Sequence, residues 1–65
     1  MKNKSIKMIE LTLNIDEKPK IYINPKKIME LFRLKKDSYT QISFSNDYYI
    51  YVTETPQEIL EIINK

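Results

Sequence analysis

Residues 39–53, YTQISFSNDYYIYVT, constrain this chain more than any other stretch, because they can pair with themselves. Two runs rich in β-branched and aromatic residues flank Ser45-Asn46-Asp47, the cluster whose residues tolerate turn geometry. Side chains on a strand alternate between faces, so the loop length decides which residues share a face. A two-residue turn at Asn46-Asp47 sets Phe44 opposite Tyr49 and Ile42 opposite Tyr51, leaving Ile50 and Val52 beside Ser43 and Gln41. A three-residue loop over Ser45-Asn46-Asp47, a type I turn closed by a left-handed residue at Asp47, sets Phe44 opposite Tyr48, Ile42 opposite Ile50 and Thr40 opposite Val52. One face is then Ile42, Phe44, Tyr48, Ile50 and Val52, and the other Gln41, Ser43, Tyr49, Tyr51 and Thr53. The second register is expected, because it gathers the aliphatic residues into a core face. It leaves a polar, tyrosine-bearing face for water or a partner.

The 65 residues make one small domain, and a chain of this size buries only about 60% of the surface its unfolded form exposes. There is no Cys and no His, which excludes disulfides, Cys/His zinc sites and Cys- or His-based catalysis. Self-association is the remaining common staple, so a homo-oligomer is expected, with edge strands or the Tyr49/Tyr51 face in the contact. The formal charge of +2 is a small difference between eleven basic and nine acidic side chains, too weak a bias to imply nucleic acid by itself. Lys2, Lys4 and Lys7 crowd the N-terminus, so residues 1–7 read as a flexible basic arm ahead of a single β-rich domain over residues 8–65. No apolar run approaches the roughly 20 residues needed to span a membrane, and the N-terminal stretch lacks the apolar segment of a signal peptide, so a cytoplasmic location is expected. The abundance of Lys, Ile and Asn is the composition of a low-GC bacterium or its phage.

The other segments have to supply neighbours for the hairpin. Ile9, Leu11 and Leu13 alternate with Glu10, Thr12 and Asn14 as in a half-buried strand. Asn14 to Pro19 carries turn formers and a proline, so the chain reverses there. Ile21 and Ile23 bracket Tyr22 in a short second strand, isoleucines inward and tyrosine outward. Asn24-Pro25 is a capping residue ahead of a proline suited to a first helical position. Beyond it, Ile28, Leu31, Phe32 and Lys35 have helical spacing while Ile28, Glu30, Phe32 and Leu34 alternate, so periodicity leaves helix and strand both open. One helical turn over residues 25–28 and a strand over residues 29–35 is favoured, because the Tyr39 strand otherwise lacks a neighbour and Lys36-Asp37-Ser38 makes a short hairpin loop. Thr55-Pro56-Gln57-Glu58 is a capping box with proline at the first position. Ile59, Leu60, Ile62 and Ile63 then form an apolar stripe on a helix of about nine residues, too short to persist unless it packs on the sheet. The expected fold is α+β: a small, strongly twisted, mostly antiparallel sheet of four or five strands with one C-terminal helix.

In that order, the chain reads Met8-Ile9-Glu10-Leu11, then Ile21-Tyr22-Ile23-Asn24-Pro25, then Ile42-Ser43-Phe44-Ser45-Asn46-Asp47, then Tyr49 to Thr53 running into Glu54-Thr55-Pro56-Gln57-Glu58-Ile59. It resembles the small FlbD/SwrD family from Met8 to Ile63. Those proteins begin at a methionine corresponding to Met8 and carry an Asn-Pro after the second strand, a Ser/Thr-Asn-Gly turn, and an apolar strand leading into E-[ST]-x-x-E and a short helix. Asp47 stands where the family usually has glycine. The resemblance implies a small cytoplasmic, non-enzymatic protein associated with flagellar operation and swarming, without catalytic residues or a cofactor.

Tyr22, Tyr49 and Tyr51, with Tyr39, are candidates for an exposed aromatic ladder, with Gln41 on the same face. Sheet-face aromatics stack nucleobases at about 1–3 kcal/mol each, and Arg33, Lys35 and Lys36 form a basic run suited to phosphates. Tyrosine is equally a good strand residue with a wet end, which accounts for these positions without a ligand. Asp37 with Asp47, or Glu54 with Glu58, are carboxylate pairs on paper, but hairpin loop, turn and cap already explain Asp37, Asp47 and Glu58. Met8 and Met29 read as gap-fillers. No catalytic constellation and no metal ligand set emerges. Two classes of function follow. One is a FlbD/SwrD-like interaction module whose protein partner is a flagellar component or, in a phage, a host factor. The other is an oligomer that holds a nucleotide or nucleic acid between subunits.

Overall fold

Five short strands, a 3-10 turn and one α-helix lie within residues 7–65, the part of the chain that the computed structural model describes. The basic arm expected over residues 1–7 lies outside the described residues apart from Lys7, whose ammonium reaches the Lys65 carbonyl at 3.5 Å. Strands β1 (Ile9–Thr12) and β2 (Lys20–Ile23) pair antiparallel, as do β3 (Glu30–Phe32), β4 (Thr40–Ser43) and β5 (Tyr49–Val52) in the order β3-β4-β5. The α+β class expected from the sequence is the one observed, with the five strands divided between two sheets.

The β4-β5 hairpin has the expected register: Thr40 opposite Val52 and Ile42 opposite Ile50. Its tip closes differently from expectation. The N–H groups of Phe44 and Ser45 both point at the Tyr48 carbonyl, at 2.9 and 3.4 Å, so a bulge absorbs the extra residue. Asp47 is not left-handed; among the described residues the only positive φ is 51° at Lys18, in the Ile15–Lys18 turn that joins β1 to β2. The Ser45 hydroxyl accepts from the Asp47 N–H at 3.3 Å and steadies the tip.

Asn24 caps the 3-10 turn Pro25–Lys27 by accepting from the Lys26 N–H at 2.9 Å, and the chain then enters β3 as a strand. That strand is shorter than the expected 29–35. After Phe32 the Leu34 carbonyl takes the Asp37 N–H at 3.0 Å, and this turn withdraws the backbone from β4.

Alternation sends Ile9, Leu11, Ile23, Ile42 and Val52 into one core, where Ile59 of the helix α1 (Pro56–Ile63) joins them. The two sheets meet at a bridge between Leu13 and Val52, flanked by Asn14 N–H to Tyr51 carbonyl and Thr53 N–H to Thr12 carbonyl, both 2.9 Å. Ile62 and Ile63 pack against the core, but Leu60 does not belong to the apolar stripe. At about 100° per residue it sits on the flank of the helix rather than under it.

The capping box is formed: the Thr55 hydroxyl accepts from the Glu58 N–H at 3.1 Å, and the Glu58 carboxylate accepts from the Thr55 N–H at 2.9 Å. Thr55→Ala is expected to cost about 1 kcal/mol. Thermal unfolding indistinguishable from the parent chain would show that this cap contributes nothing.

Candidate interaction face

The register of β3-β4-β5 sets two cross-strand rows on the side away from the core. One is Phe32, Gln41 and Tyr51; the other is Glu30, Ser43 and Tyr49. Alternation alone causes this, since the neighbours Leu31, Ile42 and Ile50 point inward. Tyr39, at the entry to β4, brings its ring within 4.7 Å of Tyr51 at a 51° tilt, and Tyr49 lies 5.5 Å from Tyr51 at 49°. These are the tilted geometries that aromatic quadrupoles prefer. Phe32, Tyr49 and Tyr51 remain exposed, while Ser43 at the centre is buried and accepts from the Gln41 amide at 3.2 Å. The polar middle of the face is therefore self-paired, and the rim is aromatic.

Tyr51 sits in the middle of the cluster, between Tyr39 and Tyr49. Its pKa lies above the ordinary tyrosine value, first because its surroundings are partly desolvated, then because the Tyr49 hydroxyl sits beside it, with smaller contributions from Tyr39 and Asp37. A phenol whose folded pKa is raised contributes stability that is complete below the unfolded value, near 10, and is lost as pH rises through the folded one. In a phenolate absorbance titration, Tyr51→Phe should remove a step that lies above the ordinary tyrosine value. Loss of a step at or below the ordinary value instead would contradict the crowding.

The other predicted site residues are dispersed. Tyr22 is on β2, in the other sheet, and lies along a separate groove with Phe44 and Tyr48, so it is not part of this ladder. Arg33 is half-buried just past β3, and its Nε is buried with no hydrogen-bond partner among the described residues. Lys35 and Lys36 are exposed in the turn closed by Asp37. Asp37 acts electrostatically on Tyr51, and Glu30 stands in the face itself, so acidic groups accompany the tyrosines more closely than the basic run suggests. Two participants went unnoticed in the sequence. Phe32 completes the aromatic rim, and its alternation with Glu30 was the available signal. Glu54, read only as half of a carboxylate pair, binds Thr12 through both oxygens, at 3.0 Å to its N–H and 2.9 Å to its hydroxyl.

What this face offers chemically is stacking, apolar contact and hydroxyl hydrogen bonds. Among the described residues, no group of three or more acidic side chains is placed to hold a metal ion, and no helix is long and apolar enough to cross a membrane. No protein-family model, curated protein or solved structure matches the chain.

Proposed function

We propose that this chain is a small, non-enzymatic, cytoplasmic interaction protein of the FlbD/SwrD kind that associates with its own copies through the outer face of β3-β4-β5. The observation that carries the reading is the ring of Phe32, Tyr39, Tyr49 and Tyr51 around a self-paired Gln41-Ser43 centre. Such a surface has apolar area to bury, with tyrosine hydroxyls and the Glu30 carboxylate left for a polar rim. Its size sets the strength. Four part-buried rings can yield on the order of 80–100 Å² each, about half of the roughly 800 Å² per partner typical of a stable complex. Self-association is therefore weak and concentration-dependent, suited to an accessory protein that joins and leaves an assembly. The resemblance supplies the setting: flagellar operation and swarming.

Light scattering over a concentration series should show a mass rising above the monomer, and Phe32→Glu or Tyr49→Lys should return it to the monomer without unfolding the chain. A monomer mass throughout ends the self-association reading. The flagellar setting is tested separately, by whether the chain restores swarming to a strain lacking its FlbD/SwrD-type protein. A nucleotide and single-strand titration at two salt concentrations tests the competing class. Binding that weakens steeply with salt and is lost in Tyr49→Ala and Tyr51→Ala would replace the present reading. Glu30 in the face and Asp37 beside it oppose that outcome.

A further inference from the structure

On its β2 side the two-stranded sheet ends without a further strand among the described residues, while its β1 side is bridged to β5 through Leu13 and Val52. In the β1-β2 ladder the Leu13 N–H donates to the Pro19 carbonyl at 2.9 Å, and bonded pairs recur at every second position. Leu11 with Ile21 and Ile9 with Ile23 are therefore the bonded pairs, while the backbone groups of Glu10, Thr12, Lys20 and Tyr22 point away from the partner strand. On β1 the outward groups of Thr12 are met, the N–H by the Glu54 carboxylate at 3.0 Å and the carbonyl by the Thr53 N–H at 2.9 Å. On β2 the outward N–H and C=O of Lys20 and Tyr22 have no backbone partner among the described residues, and no further strand lies beyond them.

That edge borders an open groove of about 400 Å³. Met8, Tyr22, Phe44 and Tyr48 line it, with the Phe44 and Tyr48 rings 5.3 Å apart. Met8, Tyr22 and Tyr48 are all about half exposed or more, with Tyr22 at 62%. Among the described residues Lys27 is the one charged side chain lining the groove; it stands at the end of the 3-10 turn, next to Lys26. An apolar channel, a strand edge without a partner strand and a lining lysine together suit an extended backbone that carries a carboxylate.

We propose that β2 is a docking edge for an extended segment of a partner protein, in which apolar residues alternate along the groove and an Asp or Glu side chain meets Lys27. The segment adds as a strand beside β2, hydrogen-bonding to the free N–H and C=O groups of Lys20 and Tyr22. At about 3.3 Å per residue, roughly five residues span the edge. This surface is distinct from the tyrosine face and does not depend on it.

The test uses the full chain and capped heptapeptides of alternating Val and Thr that end in Glu, Gln or Lys. The Glu peptide should bind saturably, at least tenfold tighter than the Lys peptide, and should slow exchange of the Lys20 and Tyr22 amides. Lys27→Glu should invert the preference. N-methylation of the peptide at alternate residues in the frame that faces β2 should abolish binding, and in the other frame should leave it within a few-fold. Tyr22→Pro removes only an outward donor and should weaken binding at least tenfold, more than Tyr22→Thr, which keeps that donor. Because the N-methyl arm leaves the chain unaltered, it decides the matter even if the proline variant fails to fold. Equal binding of both methylated frames, no preference for Glu over Lys, or no saturable binding overturns the proposal. Concentration-dependent protection of the Tyr22 amide without peptide would assign the edge to a second copy and overturn it as well.

Discussion

Leu11→Ala is expected to cost about 2–5 kcal/mol and to leave the chain largely unfolded at physiological temperature. Leu11 is 0% exposed, in the middle of β1, opposite Ile21 and in one core with Ile42, Val52 and Ile59. Removing its side chain takes away apolar transfer energy and leaves a cavity that short strands cannot collapse around. A core of this size rarely supplies more than about 3–5 kcal/mol, so the loss is comparable to the whole. Leu60→Ala deletes the same atoms from α1, where Leu60 is 49% exposed, and should cost well under half as much. Urea unfolding of the two variants side by side is the measurement. Similar losses would mean that the core is not where burial places it.

That pair of leucines also shows how far the sequence could be read. The β4-β5 register was legible because strand side chains alternate strictly, and only one pairing put Ile42, Ile50 and Val52 together. The inward isoleucines of β2 and the Thr55 capping box were legible for similarly local reasons. Leu60 was not, because helical spacing tolerates four apolar residues in a stripe and only the packing partner decides which one falls off its edge. Tertiary placement was beyond reach too. Nothing in Ile21-Tyr22-Ile23 says that it belongs to a separate sheet, and alternation alone does not separate Tyr22 from the tyrosines of β5. The tip at Ser45-Asn46-Asp47 illustrates a different limit: a bulge and a left-handed turn residue give the same register, and the chain uses the bulge, which avoids a positive φ at Asp47.

Glu54 is the residue whose role the sequence concealed most fully, and Glu54→Ala is expected to lower stability by about 2–3 kcal/mol. The Thr12 hydroxyl donates to one carboxylate oxygen and accepts from the Lys20 ammonium at 2.9 Å, while the Thr12 N–H donates to the other oxygen. These contacts close the edge of β1 where it passes from one sheet to the other. Alanine leaves a part-buried N–H without its acceptor, and that is the larger part of the cost. Glu54→Gln keeps one acceptor oxygen and should lose about 1 kcal/mol; Thr12→Val removes only the hydroxyl bonds and should fall in the same range. The bond from the Thr40 hydroxyl to the Glu54 carbonyl is made to the backbone and survives all three changes. Hydrogen exchange then distinguishes a local clamp from general weakening. In Glu54→Ala the amides of Asn14 and Thr53, which cross between the sheets, should exchange faster, while Ile42 and Ile50, paired within the hairpin, should keep their relative protection. If Asn14 and Thr53 stay protected and the unfolding midpoint does not move, the carboxylate contributes nothing to joining the sheets, and the buried contacts of Leu11, Val52 and Ile59 hold them together alone.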